Sequence, residues 1–516
     1  MDPMTRRRFL ECAGLLGVGG GLGLRQIADA AQEKGLNVLF MMTDEQHYRS
    51  LSLTGNSYIE TPNMDRIGKE GVLFTQYTCV TPYCSPSRAS LITGVYPHTH
   101  GILYNVSPNR NTQKALSPGA FPNTECILHE EGYSLGHRGK WHLGDKGTFP
   151  CYQSYAYAAR TNAEYSKYLA EHCPAPKESP YDPGRYLGRP VEKIPAIREG
   201  WQAFHDLPKN GVAYIATIGR TVIPPEHLPE TQITNEVLDL LDKHADEPFM
   251  ITASWSPPHD LWVVPEPYYS MVDRNSIEIP GSRDLPPWDS QRPTKKLGDI
   301  MGDAGIREYM AVYHGMVKYI DDQVGRVLRK LDELGLAERT LVLFTTDHGD
   351  MVGAHGCIGK SISSFFDDLV RIPLVMRLPG AIEPGTVVDA PVSQIDVMPT
   401  ILDYLGLQAP GEIHGRSMRP LVEGRSVDWR EYAFCQRANQ LRMIRTHSHK
   451  YAFGLRPRML ALYDLEKDPH ENDNLGNDSR YASAVKKMHG LLLQVMERDK
   501  DPLLSEFPKD PLSLDP

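Results

Sequence analysis

Three continuous apolar runs stand out in the hydrophobic pattern of the chain, at residues 37–42, 249–255 and 340–345. Each is short and rich in apolar or β-branched residues, which is typical of a strand buried on both faces. Apolar side chains at helical spacing precede two of these runs, over residues 234–244 and 309–334. This alternation predicts an α/β fold in which a large, mostly parallel sheet is sandwiched between helices.

The hydrophobic periodicity is weak in two stretches, and near the C-terminus it changes to short alternating segments. Residues 145–230 and 263–292 are rich in proline, glycine and tyrosine, which predicts excursions over the sheet edge that form the rim of a pocket. Short alternating segments at 432–436 and 442–446 predict an antiparallel sheet, and residues 481–497 predict a helix packed on it. We therefore expect a main domain over residues 32–414 and a smaller α+β subdomain over residues 415–516.

Residues 1–31 have the features of a removed export signal. The string TRRRFL is followed by a glycine-rich apolar stretch and by small residues at Ala28, Ala30 and Ala31. This predicts recognition by the twin-arginine export machinery, cleavage near Ala30 or Ala31, and a periplasmic or secreted protein. No other apolar run is long enough to cross a bilayer, so we expect no stable membrane insertion.

Composition narrows the function classes only slightly. The chain has 516 residues and a net charge of −10, which argues against a nucleic-acid-binding protein. An acidic protein can still bind an anion through local cations or a metal ion. The eight cysteines show no CxxC metal-binding spacing and no compact disulfide framework, so we assign no pairs.

Acidic, basic and imidazole side chains directly follow four predicted strands, the fourth being a short one near residues 133–137. They are Asp44 and Glu45, Lys140 and His142, His259, and Asp347 and His348. Ligand sites of open α/β sheets lie beyond the carboxyl ends of the strands, so these side chains are expected to share one site.

A cation is expected among the three carboxylates of this set. Asp44, Glu45 and Asp347 would repel one another, and one would be driven to protonate unless a cation lay between them. Carboxylate oxygens suit a hard divalent ion such as calcium or magnesium, whereas zinc prefers more imidazole or thiolate ligands. Each acid alone is more often a solvated turn or a helix cap. Their shared position after buried strands favours a metal site.

The string CSPSRASLITG, residues 84–94, has the pattern of a helix that begins beside a cysteine. Ser85 is a plausible cap, Pro86 a good first-turn residue and Gly94 a plausible stop. Cys84 and Arg88 would then share one face of the helix, next to free backbone N–H groups and the positive end of the helix dipole. This arrangement can hold an anion over a nucleophile.

The C-x-P-x-R string and the A-S-L-x-T-G that follows it resemble the signature of the formylglycine-dependent sulfatases, which have an alkaline phosphatase-like fold. Other segments resemble that family in the expected order, from NVLFMMTDEQ at residue 37 through GYSLGHRGKWHLGD, ASWSPPHDLW and TLVLFTTDHGDMVGAHG to LYDLEKDPHENDNL at residue 462. In this family the cysteine is oxidised by a formylglycine-generating maturation enzyme. The hydrate of the resulting aldehyde is the nucleophile that takes the sulfate and then expels it.

The resemblance implies a role for each candidate residue. A divalent metal ion, calcium before magnesium or manganese, would be held together with the formylglycine at Cys84 by Asp44, Glu45, Asp347 and His348. The sulfate would be surrounded by Arg88, Lys140, His142, His259 and Lys360. His259, with Lys360, would protonate the leaving oxygen, and His142 is a candidate base. Many members have aspartate where Glu45 stands and asparagine where His348 stands.

The implied substrate is a sulfate ester, on a sulfated carbohydrate or an aryl or alkyl alcohol, and two other functions stay open. One keeps the fold and acts on a phosphonate or phosphate ester. The other is a non-catalytic binder of sulfated glycans in which Cys84 remains a thiol.

Overall fold

The structure is a computed structural model that describes residues 35–106, 116, 120–144, 155–156, 167–169, 171–172, 218–221, 223–290, 292–360, 363–409, 411–456 and 458–513. The predicted export signal and most of the predicted excursion at 145–230 lie outside these residues.

The strands alternate with helices along the first 400 residues, as the apolar runs predict. In chain order the described strands are β1 (Asn37–Asp44), β2 (Val72–Phe74), β3 (Tyr77–Thr78), β4 (Ser134–Gly139), β5 (Tyr155–Ala156), β6 (Ile218–Arg220), β7 (Phe249–Pro258), β8 (Trp262–Val264), β9 (Thr340–Thr346), β10 (Leu374–Arg377), β11 (Thr386–Val388), β12 (Val392–Ser393), β13 (Ala433–Arg437), β14 (Leu441–Arg445), β15 (His449–Leu455) and β16 (Arg458–Asp464).

The main sheet has eight strands in the order β11-β2-β10-β9-β1-β7-β4-β5. All its neighbours are parallel except β10, which runs antiparallel to β9 and β2. The three apolar runs form β1, β7 and β9, which lie side by side at the centre. Alternate β1 side chains enter two different cores, Leu39 and Met41 on one face and Val38, Phe40 and Met42 on the other. Burial on both faces explains the unbroken apolar run.

Helices cover both faces of this sheet. The described α-helices are α1 (Pro62–Lys69), α2 (Cys84–Thr93), α3 (Pro97–His100), α4 (Thr124–Glu130), α5 (Pro229–Lys243), α6 (Pro293–Glu333), α7 (Asp367–Val370), α8 (Val397–Tyr404), α9 (Arg419–Val422) and α10 (Ala482–Arg498). Side chains of α1, α5 and α6 join one core, and those of α2, α4 and α8 join the other.

Helix α6 is longer than its sequence pattern predicts. The expected helix starts at residue 309, whereas α6 starts at Pro293 and is interrupted at Gly302, where φ is 63° and ψ is −174°. Only glycine adopts this conformation readily, so the residue joins two helical segments at a sharp change of backbone direction.

The C-terminal part contains the predicted antiparallel sheet, in the order β13-β14-β15-β16, with α10 packed on one face. A buried charge cluster joins this sheet to the main domain. The Arg445 guanidinium donates two hydrogen bonds to the Asp367 carboxylate, at 2.9 and 2.7 Å. Lys450 binds Asp367 at 2.6 Å and Glu471 at 2.7 Å. The boundary near residue 415 remains a prediction.

Two further observations bear on sequence-based expectations. No helix in the described ranges is both long and apolar enough to cross a bilayer. The described cysteines outside the predicted active site are also free thiols, namely Cys79, Cys126, Cys357 and Cys435.

Candidate active site

Helix α2 begins at Cys84, two residues earlier than the sequence suggests. Tyr83 is the N-cap residue, so the prediction of Ser85 as the cap is wrong. Ser85 lies inside the helix, where its hydroxyl donates to the His142 carbonyl at 2.6 Å. Its backbone N–H, predicted to be free, donates to Asn105 Oδ1 at 3.1 Å. Gly94 ends the helix with φ of 69°, as predicted.

Arg88 is buried and ties together the ends of four strands. Its Nη2 donates to Asp44 Oδ2 at 2.9 Å and its Nε to Asp347 Oδ2 at 2.7 Å. Its Nη1 donates to the Lys140 carbonyl and to Ser254 Oγ, both at 2.9 Å. The guanidinium therefore fixes β1, β4, β7 and β9 relative to α2 at this edge of the sheet.

The two lysines predicted for the site face the same pocket as the cysteine. Lys140 Nζ lies 2.5 Å from Asp44 Oδ2. Lys360 Nζ lies 2.8 Å from Glu45 Oε2 and 3.3 Å from Cys84 Sγ. Cys84 Sγ is also 3.3 Å from His348 Nε2 and 3.6 Å from Asp44 Oδ1.

Local backbone geometry directs the acidic side chains at the ends of β1 and β9. Glu45 has φ of 66°, a left-handed conformation that is uncommon for a residue with a side chain. Its N–H donates to Asp347 Oδ1 at 3.1 Å, which stabilises this turn. The His348 N–H donates to the same oxygen at 2.9 Å, and His348 Nδ1 lies 2.9 Å from the Gly349 carbonyl. Nε2 of His348 is thus left to face Cys84.

His259 enters the site from the end of β7 and is oriented by its neighbour in the chain. Its Nδ1 lies 2.6 Å from Asp260 Oδ1 and 2.7 Å from the Asp260 carbonyl oxygen. Its Nε2 lies 3.5 Å from Glu45 Oε2 and 3.9 Å from Asp44 Oδ1. The ring therefore presents Nε2 to the pocket.

Burial and close charges shift the pKa values of these groups in different directions. Burial alone would raise the pKa of Asp44, but Lys140, His259 and Arg88 hold it well below its usual range. Burial raises the pKa of Glu45 to about 8, in spite of the Lys360 ammonium. Burial and the Asp44 charge raise the pKa of Cys84, but the surrounding cations, Lys140, Lys360 and His348 among them, together lower it by more, so the net shift is downward.

The pKa values of Asp347 and His348 are both raised, but for different reasons. Burial, together with the charge of Asp44, raises the pKa of Asp347. Burial lowers the pKa of His348, but the charge of Asp347 and the interaction with Cys84 together outweigh burial and raise that pKa to about 9. Two buried carboxyls with raised pKa values, at Glu45 and Asp347, form a site that would be stabilised by an added cation.

Four of the five metal ligands predicted from the sequence are brought together in space. Ligand atoms of Asp44, Cys84, Asp347 and His348 lie within 4.8 Å of one another. Glu45 and Asp44 form a second such group with His259. The donor set is dominated by carboxylate oxygens, which fits a hard divalent cation.

One predicted residue is not seen in contact with the others. The His142 imidazole has a buried Nδ1 that finds no hydrogen-bond partner in the described part of the chain, although its carbonyl accepts from Ser85. Its role as a base stays a prediction.

Three residues near the site are missed by the sequence reasoning. Asp350 is fully buried, interacts with the Glu45 carboxyl and accepts a hydrogen bond from the Tyr309 hydroxyl. Asp260 orients His259, and Asn105 places its amide nitrogen 3.9 Å from Cys84 Sγ. The only available signals were the second acid of the D-H-G-D string and the acid after the P-P-H string.

The second predicted excursion borders the segment that carries Lys360. Asp289 Oδ2 accepts from the backbone N–H and the hydroxyl of Ser364, at 2.8 and 2.6 Å. Trp288 Nε1 donates to the same hydroxyl at 3.0 Å. That residues 263–292 form the rim of a pocket stays a prediction.

Comparison with known proteins agrees with this arrangement. The Sulfatase family model matches residues 36–407. The chain belongs to the sulfatase family. A second model, the C-terminal region of N-sulphoglucosamine sulphohydrolase, matches residues 353–498. The sulfatase is therefore a hydrolase of sulfate esters.

The sulfatase is similar over most of its length to curated relatives. It is 29% identical to the uncharacterized sulfatase YidJ of Escherichia coli, across 91% of this chain and 88% of that protein. It is 27% identical to the N-acetylglucosamine-6-O-sulfatase of Bacteroides thetaiotaomicron, across 93% and 90% of the two chains. The phosphonate monoester hydrolase of Agrobacterium radiobacter has the same fold, with a TM-score of 0.72, 24% identity, and coverage of 90% of this chain and 96% of its own.

Proposed function

We propose that this sulfatase removes a sulfate ester from a sulfated carbohydrate by means of a formylglycine made from Cys84 and one bound Ca²⁺ ion. The observation that carries the proposal is the position of Cys84 Sγ between Lys360 Nζ, His348 Nε2 and Asp44 Oδ1, all within 3.6 Å. A carbohydrate substrate is supported by the similarity to the N-acetylglucosamine-6-O-sulfatase.

The residues that would hold the metal ion are Asp44, Glu45, Asp347 and His348. Their oxygens converge with a single imidazole nitrogen, a donor set that suits Ca²⁺ better than Zn²⁺. When bound, such an ion polarises sulfuryl oxygens as a Lewis acid. A formylglycine hydrate supplies one hydroxyl as nucleophile and a second whose proton loss releases the sulfate. Cys84 must therefore be converted before the protein acts as a catalyst.

Lys140 and Lys360 would neutralise the sulfuryl oxygens. Both ammonium groups face the pocket, and Lys360 contacts Cys84 Sγ directly at 3.3 Å. Fixed cations in a buried site stabilise developing negative charge without further reorganisation. Arg88 is better described as a positioning residue than as a sulfate ligand, because Asp44, Asp347, Ser254 and a carbonyl already accept its hydrogen bonds.

His259 would donate the proton to the leaving oxygen. Its Nε2 faces the pocket, and its Nδ1 is fixed by Asp260 at 2.6 Å. Burial and the two lysines lower its pKa, but the surrounding acids, Asp260 and Glu45 among them, together outweigh these effects and raise it well above the usual value. A protonated imidazole in this position acts as a general acid towards the departing alkoxide.

The N-terminal signal and the maturation step complete the proposal. The TRRRFL string supports export by the twin-arginine machinery, and the C-x-P-x-R string supports conversion by a formylglycine-generating enzyme. The signal at 1–31, the catalytic domain at 32–414 and the C-terminal subdomain at 415–516 are proposed on the same sequence patterns.

Relative rates on matched esters test the proposed activity. Protein matured by co-expression with a formylglycine-generating enzyme would be assayed on p-nitrophenyl sulfate, p-nitrophenyl phosphate, a phosphonate monoester and N-acetylglucosamine 6-sulfate, with Cys84→Ala as the control. We expect kcat/KM to be highest on the sulfate esters and to be lost in Cys84→Ala. A higher value on the phosphate or phosphonate ester would replace the proposal by the alternative chemistry of this fold. Binding of the sulfated sugar without turnover, by protein whose Cys84 remains a thiol after co-expression with an active maturation enzyme, would favour the non-catalytic binder.

A further inference from the structure

An exposed aromatic side chain is adjacent in sequence to a residue that contacts the nucleophile, and it has no part in the proposed chemistry. Of the described residues, four large hydrophobic side chains are exposed, namely Tyr104, Met271, Val427 and Leu512. Tyr104 is the aromatic one among them and is 45% exposed. It precedes Asn105, whose amide nitrogen lies 3.9 Å from Cys84 Sγ.

The ring of Tyr104 rests on a second tyrosine that is held rigidly. Tyr83 and Tyr104 meet edge to face, with ring centroids 6.4 Å apart and planes at 63°. Tyr83 is fixed from the C-terminal sheet by Arg437, which donates to its hydroxyl at 2.9 and 3.1 Å. The Arg437 guanidinium also lies 5.2 Å from the centroid of the Tyr83 ring. Tyr83 directly precedes Cys84 in the chain, so the tyrosine that contacts Tyr104 is the neighbour of the nucleophile.

This geometry is the one that a carbohydrate ligand requires. A pyranose ring presents a face of C–H groups, which pack on the electron-rich face of an aromatic ring. Tyrosine offers that face at a low cost in side-chain entropy because only two torsions are fixed on binding. A sugar joined to its sulfate through one ester oxygen lies next to Cys84 when its sulfate lies at Cys84.

We propose that Tyr104, supported by Tyr83 and Arg437, is the stacking residue for the sugar ring that carries the sulfate. This inference rests on the proposed function in that it places the sulfate at Cys84. It adds a residue that selects ring-bearing carbohydrate sulfates over sulfate esters without a ring, and it assigns the C-terminal subdomain a part in specificity through Arg437.

Equilibrium binding to inactive protein tests the proposal without any need for turnover. In a Cys84→Ala background, isothermal titration calorimetry would measure the binding of inorganic sulfate and of a panel of sulfated mono- and disaccharides, beginning with N-acetylglucosamine 6-sulfate. We expect Tyr104→Ala to weaken sugar sulfate binding about tenfold and sulfate binding less than about twofold. Tyr104→Phe should restore sugar binding, and Leu512→Ala, which removes an equally exposed apolar side chain elsewhere, should change neither.

Several results would overturn the stacking role. Equal weakening of both ligands by Tyr104→Ala would show that the residue acts on the sulfate pocket or on folding. Unchanged sugar binding, or no binding by any member of the panel, would overturn it directly. Hydrolysis of p-nitrophenyl sulfate by the matured wild type separates the two failures, because it tests the proposed activity while leaving the sugar out.

Discussion

Removal of the Asp260 carboxylate is expected to slow proton transfer from His259 to the leaving group more than any other step of the reaction. Asp260 Oδ1 lies 2.6 Å from His259 Nδ1, on the side of the ring opposite the pocket. In Asp260→Ala the imidazole loses this charged partner but keeps the Asp260 carbonyl, 2.7 Å from the same nitrogen. The ring then turns more freely, and its positive form is less stable.

The size of the effect follows from the hydrogen bond that is lost. A hydrogen bond to a charged partner contributes about 1.5–3 kcal/mol. Because the carbonyl remains as an acceptor, the lower end applies, which is roughly a tenfold loss in rate. This loss is expected in full only where the leaving oxygen needs a proton, as a sugar alkoxide does. A nitrophenolate leaves without one, so its rate should fall by only about two- to threefold.

A leaving-group series measures this difference. The assay compares kcat for Asp260→Ala and wild type on aryl sulfates of increasing phenol pKa and on a sugar sulfate. Asp260→Asn, which keeps an acceptor but not the charge, should lie between the two. Asp284→Asn, an exposed aspartate in the neighbouring excursion, serves as the control and should match the wild type.

An equal loss on all leaving groups would refute this reasoning. It would show that Asp260 supports the fold of the site rather than the acid, and His259 would no longer be supported as proton donor. No loss on the sugar sulfate would have the same consequence.

Three further predictions concern the metal ion, the buried ion pairs and acid stability. Dialysis against EGTA should abolish activity and lower Tm, and Ca²⁺ should restore both, because three carboxylates lose their cation; full activity after dialysis would exclude the proposed ion. Arg88→Lys should lower the free energy of unfolding in urea by about 3 kcal/mol, since it breaks two buried charge-assisted bonds; a change below about 1 kcal/mol would contradict the bridging role of Arg88. Burial lowers the pKa of His100 to about 3, and its Nδ1 accepts the Ile102 N–H. Between about pH 6.5 and pH 3, His100 is therefore protonated in the unfolded chain but neutral in the folded chain. The free energy of unfolding consequently decreases as pH falls through this range. Relative to His100→Asn, the wild type should lose about 2 kcal/mol by pH 5 in urea titrations, and parallel curves would contradict this.

Hydrophobic pattern was sufficient to predict the elements that carry the site. The runs that became β1, β7 and β9 are buried on both faces, so their ends could be located to within a few residues. Acidic and basic groups after those ends, such as Asp44 and Asp347, could then be assigned to one edge of the sheet. The helix at Cys84 was predicted because proline and glycine mark its two ends.

The partners of these residues could not be predicted, because they depend on how distant segments approach. Arg88 was expected to face the sulfate, but it bonds to Asp44, which is 44 residues away in the chain, and to Asp347, which is 259 residues away. Asp350 interacts with Glu45, whose left-handed backbone no sequence pattern indicates. Ser85 was wrongly assigned as the cap because the cap position depends on the entry angle of the preceding residues.

The central claim is that Cys84 becomes the nucleophilic aldehyde of a sulfate ester hydrolase. Mass spectrometry of the peptide that contains Cys84, from protein co-expressed with a formylglycine-generating enzyme, tests this claim most directly. The account predicts the mass of formylglycine at this position, in a fraction of molecules that matches the active fraction on p-nitrophenyl sulfate. An unmodified thiol in protein that still hydrolyses the ester, or an aldehyde in protein that hydrolyses none, would contradict it.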